Sequence, residues 1–233
     1  MLHGNTILVV VPARGGSKGI KLKNIYPLRG KPLLTYTGEV VQQLDYIDRA
    51  VVSTDHDEIA KVAGSCGLDV PFYRPDTIAG DRIGDWDVLH HALTEMERLD
   101  GKTYDLVVML QPTSPLRKPE HVTQAIIHLI EGEYDAVWTV SPTDSKAHPL
   151  KQLVINDGQL AYYDPAGANI IARQQLTPVY HRNGIAYAIR RSCLEEHRSI
   201  KGTRTGTVVI DELVANIDTE FDIRFAGADR KQR

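Results

Sequence analysis

Apolar positions along the chain fall into two alternating patterns. Residues 6–11, 50–53, 106–110 and 136–140 are short unbroken runs rich in Val, Ile or Leu, which predict strands buried on both faces. Between them, apolar residues recur at helical spacing. Residues 31–43 predict a helix with Pro32 at its first position. Residues 57–66 predict another, capped in the Asp55/Asp57 region and stopped by Gly67 in a left-handed turn. In residues 84–99, Trp86, Leu89, Leu93 and Met96 share one face. Residues 119–131 repeat the pattern with Val122, Ala125, Ile126, Leu129 and Ile130. This alternation predicts an α/β fold with a mostly parallel sheet covered by helices on both faces. Ligands of such sheets bind beyond the carboxyl ends of the strands.

From 141 to 182 the rhythm breaks at Pro142, Pro149, Pro165 and Pro178. Asn156-Asp157-Gly158 predicts a hairpin turn between strands 152–155 and 159–163. The segment reads as an insertion within a single domain, 1–233. Its apolar residues Leu150, Leu153, Ile155, Leu160 and Tyr162 suit either a second subunit or the insertion's own domain. Residues 187–189 and 206–210 return to strand, and 220–228 to helix.

Charge sharpens the picture. The 233 residues carry 27 Lys and Arg against 30 Asp and Glu, a net charge of −3. Six of the basic residues, and no acidic one, lie in residues 1–38, which leaves 21 against 30 for the rest. The first strand therefore opens into a cationic glycine-bearing loop, PARGGSKGIKLKN. Glycines 15, 16 and 19 let backbone N–H groups approach anionic oxygens. Arg14 can grip a phosphate through two hydrogen bonds, while Lys18 and Lys23 are compact point charges. Neither GxxxxGK[ST] nor GxGxxG is present, so the loop predicts a polyphosphate site of another kind. The acidic balance of the whole argues against nonspecific nucleic-acid binding. No run reaches membrane-spanning length and residues 1–11 do not read as a signal peptide, so a cytoplasmic enzyme is expected. Cys66 and Cys193 read as buried structural thiols. Ser17 has no His and Asp pattern for a nucleophilic triad, and the nine histidines show no metal spacing.

Two further clusters carry candidate chemistry. QPTSPLR, residues 111–117, is a proline-stiffened turn presenting an amide, two hydroxyls and a guanidinium at a strand end. In Asn216-Ile217-Asp218, extended alternation puts Asn216 and Asp218 on one side and Ile217 toward the core. Two oxygen ligands with phosphates and waters suit Mg²⁺; Asp218 with Thr219 also suits a helix cap. Asp222 and the pair Asp211/Glu212 stand nearby. Arg173 and Asn183-Gly184 flank Tyr180.

In order, PARGGSK–KN, GKPLL, VSTD, QPTSPLR, R-Q…P-x-Y-x-x-NG and x-I-D-T-x-x-D resemble the acylneuraminate cytidylyltransferases, the CMP-sialic acid synthetase family, with its pseudaminate and legionaminate relatives. The resemblance spans residues 7–226; the Kdo cytidylyltransferases rank second. It implies a nucleotide-diphospho-sugar transferase-like three-layer α/β/α sandwich, a homodimer formed through the insertion 141–182, and Mg²⁺. The implied reaction joins CTP to a nine-carbon 2-keto sugar acid (a nonulosonic acid). By this resemblance Ala13, Arg14, Gly15, Ser17, Lys18, Lys23 and Asn24 hold the nucleotide, joined by Arg74 and Asp81 of RPDTIAGD. Gln111 and Ser114 lie on the acceptor side, and Arg173 meets the sugar carboxylate from within or across the dimer. Arg14, Lys23 and Asp218 are the catalytic candidates, and Asp218 with Asn216 the metal ligands. Three departures stand out: Asn216 where the family commonly has Asp, Lys21-Leu22 where Pro or Gly is usual, and Gly80 where many relatives carry a hydroxyl. Asn216 also motivates a third reading, a catalytically silent nucleotide-binding paralogue.

Overall fold

The computed structural model describes residues 1–228. Six strands form the central sheet: β1 (Ile7–Pro12), β4 (Arg49–Ser53), β5 (Leu106–Met109), β6 (Ala136–Pro142), β9 (Tyr180–Arg190) and β10 (Thr205–Val209). Their spatial order is β10-β6-β9-β5-β1-β4. β1 pairs parallel with β4 and β5, and β10 parallel with β6, while β9 runs antiparallel between β5 and β6. The expected mostly parallel sheet is therefore present, with one reversed strand inside it.

Strand alternation divides the core into two layers. Ile7, Val9 and Val11 face one side, with buried residues of α1 (Leu33–Val41), α2 (Asp57–Ser65) and α4 (Pro119–Glu131). Leu8 and Val10 face the other, with α3 (Asp85–Asp100) and the short α5 (Arg191–Glu195). Each fully buried aliphatic side chain contributes roughly 1.5–3 kcal/mol. The result is three layers, helices over both faces of the sheet. Cys66 and Cys193 are both buried free thiols, as expected.

A third cluster joins Ile20, Leu28, Leu33, Ala215, Ile217 and Ala226. It clamps the glycine loop, the small hairpin β2 (Pro27–Leu28) and β3 (Lys31–Pro32), and the last helix α6 (Glu220–Gly227) to one another. Between Pro142 and Tyr180 the chain leaves the sheet for the hairpin β7 (Leu153–Asn156) and β8 (Gln159–Tyr162). Asp157 and Gly158 have φ of 50° and 78°, the pair of left-handed residues that a two-residue hairpin of this kind requires.

Several local expectations shift. Pro32 ends a β-pair and caps α1 from outside, because its ψ of 142° is extended. The cap of α2 is His56, whose ring nitrogen accepts from the Glu58 N–H at 3.3 Å, and neither Asp55 nor Asp57 fills that place. β9 starts at Tyr180, since Tyr180, His181 and Arg182 pair with Pro142, Ser141 and Val140. The out-of-sheet excursion is correspondingly shorter than 141–182.

Candidate active site

The carboxyl ends of β1 and β5 open into one cavity of about 330 Å³. Of the predicted residues, Arg14, Ser17, Lys18, Lys23, Asn24, Arg74, Asp81, Gln111, Asn216 and Asp218 line it. Segments distant in sequence thus converge on one concave surface.

The loop after β1 is fixed from behind. Ala13 is fully buried and its N–H donates to the Ser53 carbonyl at 3.0 Å. The Gly15 N–H donates to Asp55 Oδ1 at 2.7 Å. A Cβ on Gly15 would stand 2.7 Å from the His56 ring, so only glycine lets the loop lie this close. Ala13 and Gly15 therefore shape the loop from outside the cavity wall. Asn24, 6% exposed, donates from Nδ2 to the Arg14 carbonyl at 3.0 Å and closes the loop. Leu22 holds φ of 49°, a left-handed conformation that costs a non-glycine residue roughly 1–2 kcal/mol. That strain falls at the Lys21-Leu22 departure. Lys21 is exposed and lies outside the cavity wall.

Two ion-pair groups organise the floor. Arg14 and Lys18 both reach Asp81, at 2.7 and 2.5 Å. Lys23 reaches Asp218 Oδ1 at 2.6 Å, with the lysine side chain only 19% exposed. Arg74 is buried, donating to the Ser53 hydroxyl and carbonyl at 3.0 and 2.6 Å, and burial pushes its guanidinium down to about 10. It remains a cation at neutral pH. Four cations thus line the cavity beside three carboxylates, Asp81, Asp85 and Asp218, and Arg14, Lys18 and Lys23 are ion-paired groups that phosphate oxygens could engage.

The Lys18 ammonium first, and the Arg14 guanidinium second, hold the Asp81 carboxyl below its ordinary 3.8. A depressed carboxyl contributes its pairing above the ordinary value and loses it as pH falls through the folded one. A carboxyl-carbon NMR titration should place the Asp81 midpoint below 3.8 and return it toward that value in Lys18→Ala. An Asp81 midpoint at or above 3.8 in the wild type would contradict the pairing.

Beside Asp218, Ile217 is wholly buried and its N–H donates to the Thr113 carbonyl at 2.8 Å. This anchors the extended triplet so that Asn216 and Asp218 both face the cavity. Thr219 supplies the cap of α6, with the Asp222 carboxylate spent on the N–H groups of Asp218 and Thr219. The Asp218 carboxylate is left free of capping. Asp211 and Glu212 lie elsewhere, Glu212 pairing with Lys118 and His121. Among the described residues, no group of three or more His, Cys, Asp or Glu could hold a metal ion. The donor set suits a hard cation held by one or two protein oxygens and completed by phosphate oxygens and water.

The QPTSPLR turn divides. Gln111 and Thr113 face the cavity. Ser114 is 1% exposed, and its hydroxyl donates to the Asn183 carbonyl at 2.9 Å, away from the cavity. Arg117 turns fully inward, donating to the carbonyls of Ile185, Gln111 and Gly184 and to the Thr37 hydroxyl. Gly184, at φ 72°, lets the strand pass beneath, because a Cβ there would meet Gln111 Oε1 at 2.6 Å. The Asn-Gly pair is thus a support for the turn. Arg173 lies exposed in a 3-10 turn of the excursion, outside this cavity. His181 bonds Thr143 near the base of the excursion, and His90 stacks on Trp86, both structural contacts.

Sequence reasoning missed Asp85, at the start of α3, and its partner Arg182, 2.7 Å away. Asp85 lines the cavity. An acid in the first turn of a helix is already accounted for by the helix dipole, so nothing local marked it.

A family model described as Cytidylyltransferase matches residues 8–225. A CMP-N,N'-diacetyllegionaminic acid synthase from Legionella pneumophila is 33% identical over 94% of this chain and 93% of its own. A pseudaminic acid cytidylyltransferase from Campylobacter jejuni is 30% identical over 94% of each. Among solved structures, a CMP:2-keto-3-deoxy-manno-octonic acid synthetase complexed with CTP superposes with a TM-score of 0.71 at 17% identity, covering 95% of this chain and 97% of that one. At that identity the likeness speaks for the fold.

Proposed function

The chain belongs to this cytidylyltransferase family, and from that premise we propose that it joins CTP to a nine-carbon 2-keto sugar acid, releasing pyrophosphate. The observation that carries the reading is the near full-length identity of about a third to enzymes named for legionaminic and pseudaminic acids. The cavity supports it. The acceptor's anomeric hydroxyl attacks the α-phosphorus in line; the new oxygen–phosphorus bond forms as the bond to the pyrophosphate oxygen breaks, and the hydroxyl proton is released. Such a transfer requires positioning and charge neutralisation rather than a covalent nucleophile. Arg14, Lys18 and Lys23 supply the positive charge for the triphosphate, and Arg74 stiffens the adjoining wall. Gln111 serves the acceptor side.

A divalent cation, Mg²⁺ in this reading, would be held by Asp218 and the Asn216 carbonyl, and supplies charge neutralisation on the phosphates when bound. Asn216 removes one negative charge from that pair, so more of the neutralisation falls to Lys23. The third reading, a silent paralogue, rests on Asn216 alone, and acceptor-dependent pyrophosphate release would exclude it.

The second subunit is part of the proposal. The excursion exposes Ile155 at 74%, Leu160 at 67% and Ile171 at 94%, apolar surface that a homodimer would cover. Arg173 stands on that excursion and would meet the acceptor carboxylate from the neighbouring subunit.

Pyrophosphate release from CTP should require an acceptor acid. A panel of sialic, legionaminic, pseudaminic and Kdo acceptors should show turnover with one or more nine-carbon acids and at least about tenfold less kcat/KM with the eight-carbon Kdo. Turnover with Kdo alone would overturn the assignment.

A further inference from the structure

Asp85, which lines the cavity, forms a charged pair with Arg182. Asp85 opens α3, and Arg182 lies on β9 where that strand passes the sheet rim. The Arg182 guanidinium sits 4.7 Å from the Trp138 ring centre and 4.8 Å from that of Tyr187. Its NH2 donates to Asp85 Oδ2 at 2.7 Å, and its Nε contacts the Tyr187 hydroxyl at 3.4 Å. Asp85 is therefore held in one place by a guanidinium that the two rings themselves immobilise. Its second oxygen, Oδ1, has no partner among the described residues, and its side chain is 32% exposed.

The neighbours of Asp85 indicate what that oxygen meets. Ile83 and Val88 line the same cavity on either side of it in sequence, and Val88 lies one helical turn further on, on the same face. Arg74, on the segment leading to α3, senses the Asp85 charge. Aliphatic walls beside a fixed acceptor suit a flat heteroaromatic ring that presents an N–H donor at its edge. Lys18 and Lys23, by contrast, pair with Asp81 and Asp218. Cytosine carries an amino donor where uracil carries a carbonyl acceptor, so a carboxylate accepts from the first and repels the second.

We propose that Asp85, positioned by Arg182, accepts a hydrogen bond from the exocyclic amino group of the nucleotide's cytosine and so selects CTP over UTP. The assignment rests on CTP being the nucleotide of the proposed reaction. Arg182 is a positioning residue, acting through Asp85.

The test measures pyrophosphate release by the full-length chain with CTP and UTP, together with calorimetric binding of each nucleotide without acceptor. Wild type, Asp85→Asn, Asp85→Ala and Arg182→Gln are compared, with thermal melts confirming folding. Asp85→Ala should lower the CTP-to-UTP ratio of kcat/KM by about tenfold or more, chiefly through the KM for CTP. The KM for the acceptor acid should stay within about twofold, because the amino group belongs to the base. Arg182→Gln should lower the ratio in the same direction by less, since it loosens Asp85 without removing it. Ratios that stay within about twofold of wild type in both Asp85 variants, or a shift confined to the acceptor KM, overturn the proposal. A wild type that does not discriminate CTP from UTP in either assay overturns it too. Should no acceptor support turnover, the functional reading fails by itself, and the binding measurements still decide the role of Asp85.

Discussion

Lys23→Ala is expected to lower kcat for pyrophosphate release by roughly a hundred- to a thousand-fold, the cost of removing one preorganised charge contact at a reacting centre. Lys23 follows the glycine loop, and its side chain is only 19% exposed, with the ammonium 2.6 Å from Asp218 Oδ1. A charge withdrawn from water in this way acts at lower effective dielectric than a surface lysine. Its partner belongs to the same triplet as Asn216, where one carboxylate is replaced by an amide. Neutralising the departing pyrophosphate therefore leans on Lys23 more heavily than an acid at position 216 would require. The KM for CTP should rise less than kcat falls, since Arg14 and Lys18 still face the triphosphate. Steady-state kinetics at saturating Mg²⁺ gives both numbers. A kcat within about threefold of wild type would remove Lys23 from the chemistry.

Arg117→Met should cost about 3–5 kcal/mol of stability, because several buried acceptors lose their charged donor at about 1–3 kcal/mol each. Burial pushes the Arg117 guanidinium down to about 9, so it is still a cation at neutral pH. It is satisfied by three main-chain carbonyls, those of Gln111, Gly184 and Ile185, and by the Thr37 hydroxyl. These ties lock the turn after β5 onto β9 and α1. Methionine matches much of the stem but strands the carbonyls, each unsatisfied buried group costing about 1–3 kcal/mol. For a domain of this size the melting temperature should fall by roughly 10 °C. A shift of under about 3 °C would mean that water satisfies the carbonyls equally well.

Arg117 also shows where reading the sequence falls short. QPTSPLR was legible as a stiff polar turn at a strand end, and Gln111 does face the cavity. Which of its polar groups point outward depends on β9, some seventy residues later, whose carbonyls claim Arg117 and Ser114. No local pattern encodes that pairing. The long regular elements were legible because their signals are local. Pro119–Glu131 begins with Pro at its first position and carries one apolar face, and Gly67, at φ 77°, follows α2 as expected. Pro32 failed because a two-residue β-pair claims it first. The cationic loop and the Asn216/Asp218 side of the cavity were legible from charge asymmetry and two-residue alternation. Asp85 was not, because its meaning comes from Arg182, 97 positions away.

The central claim, transfer of CMP to an acceptor acid, is tested most directly by phosphorus NMR of one reaction mixture containing the protein, CTP, Mg²⁺ and a nine-carbon 2-keto acid. The account predicts that the three CTP resonances are replaced by one phosphodiester signal and one pyrophosphate signal in equal molar amounts, and only when the acid is present. Orthophosphate with CDP, or pyrophosphate released equally well without the acid, would contradict it.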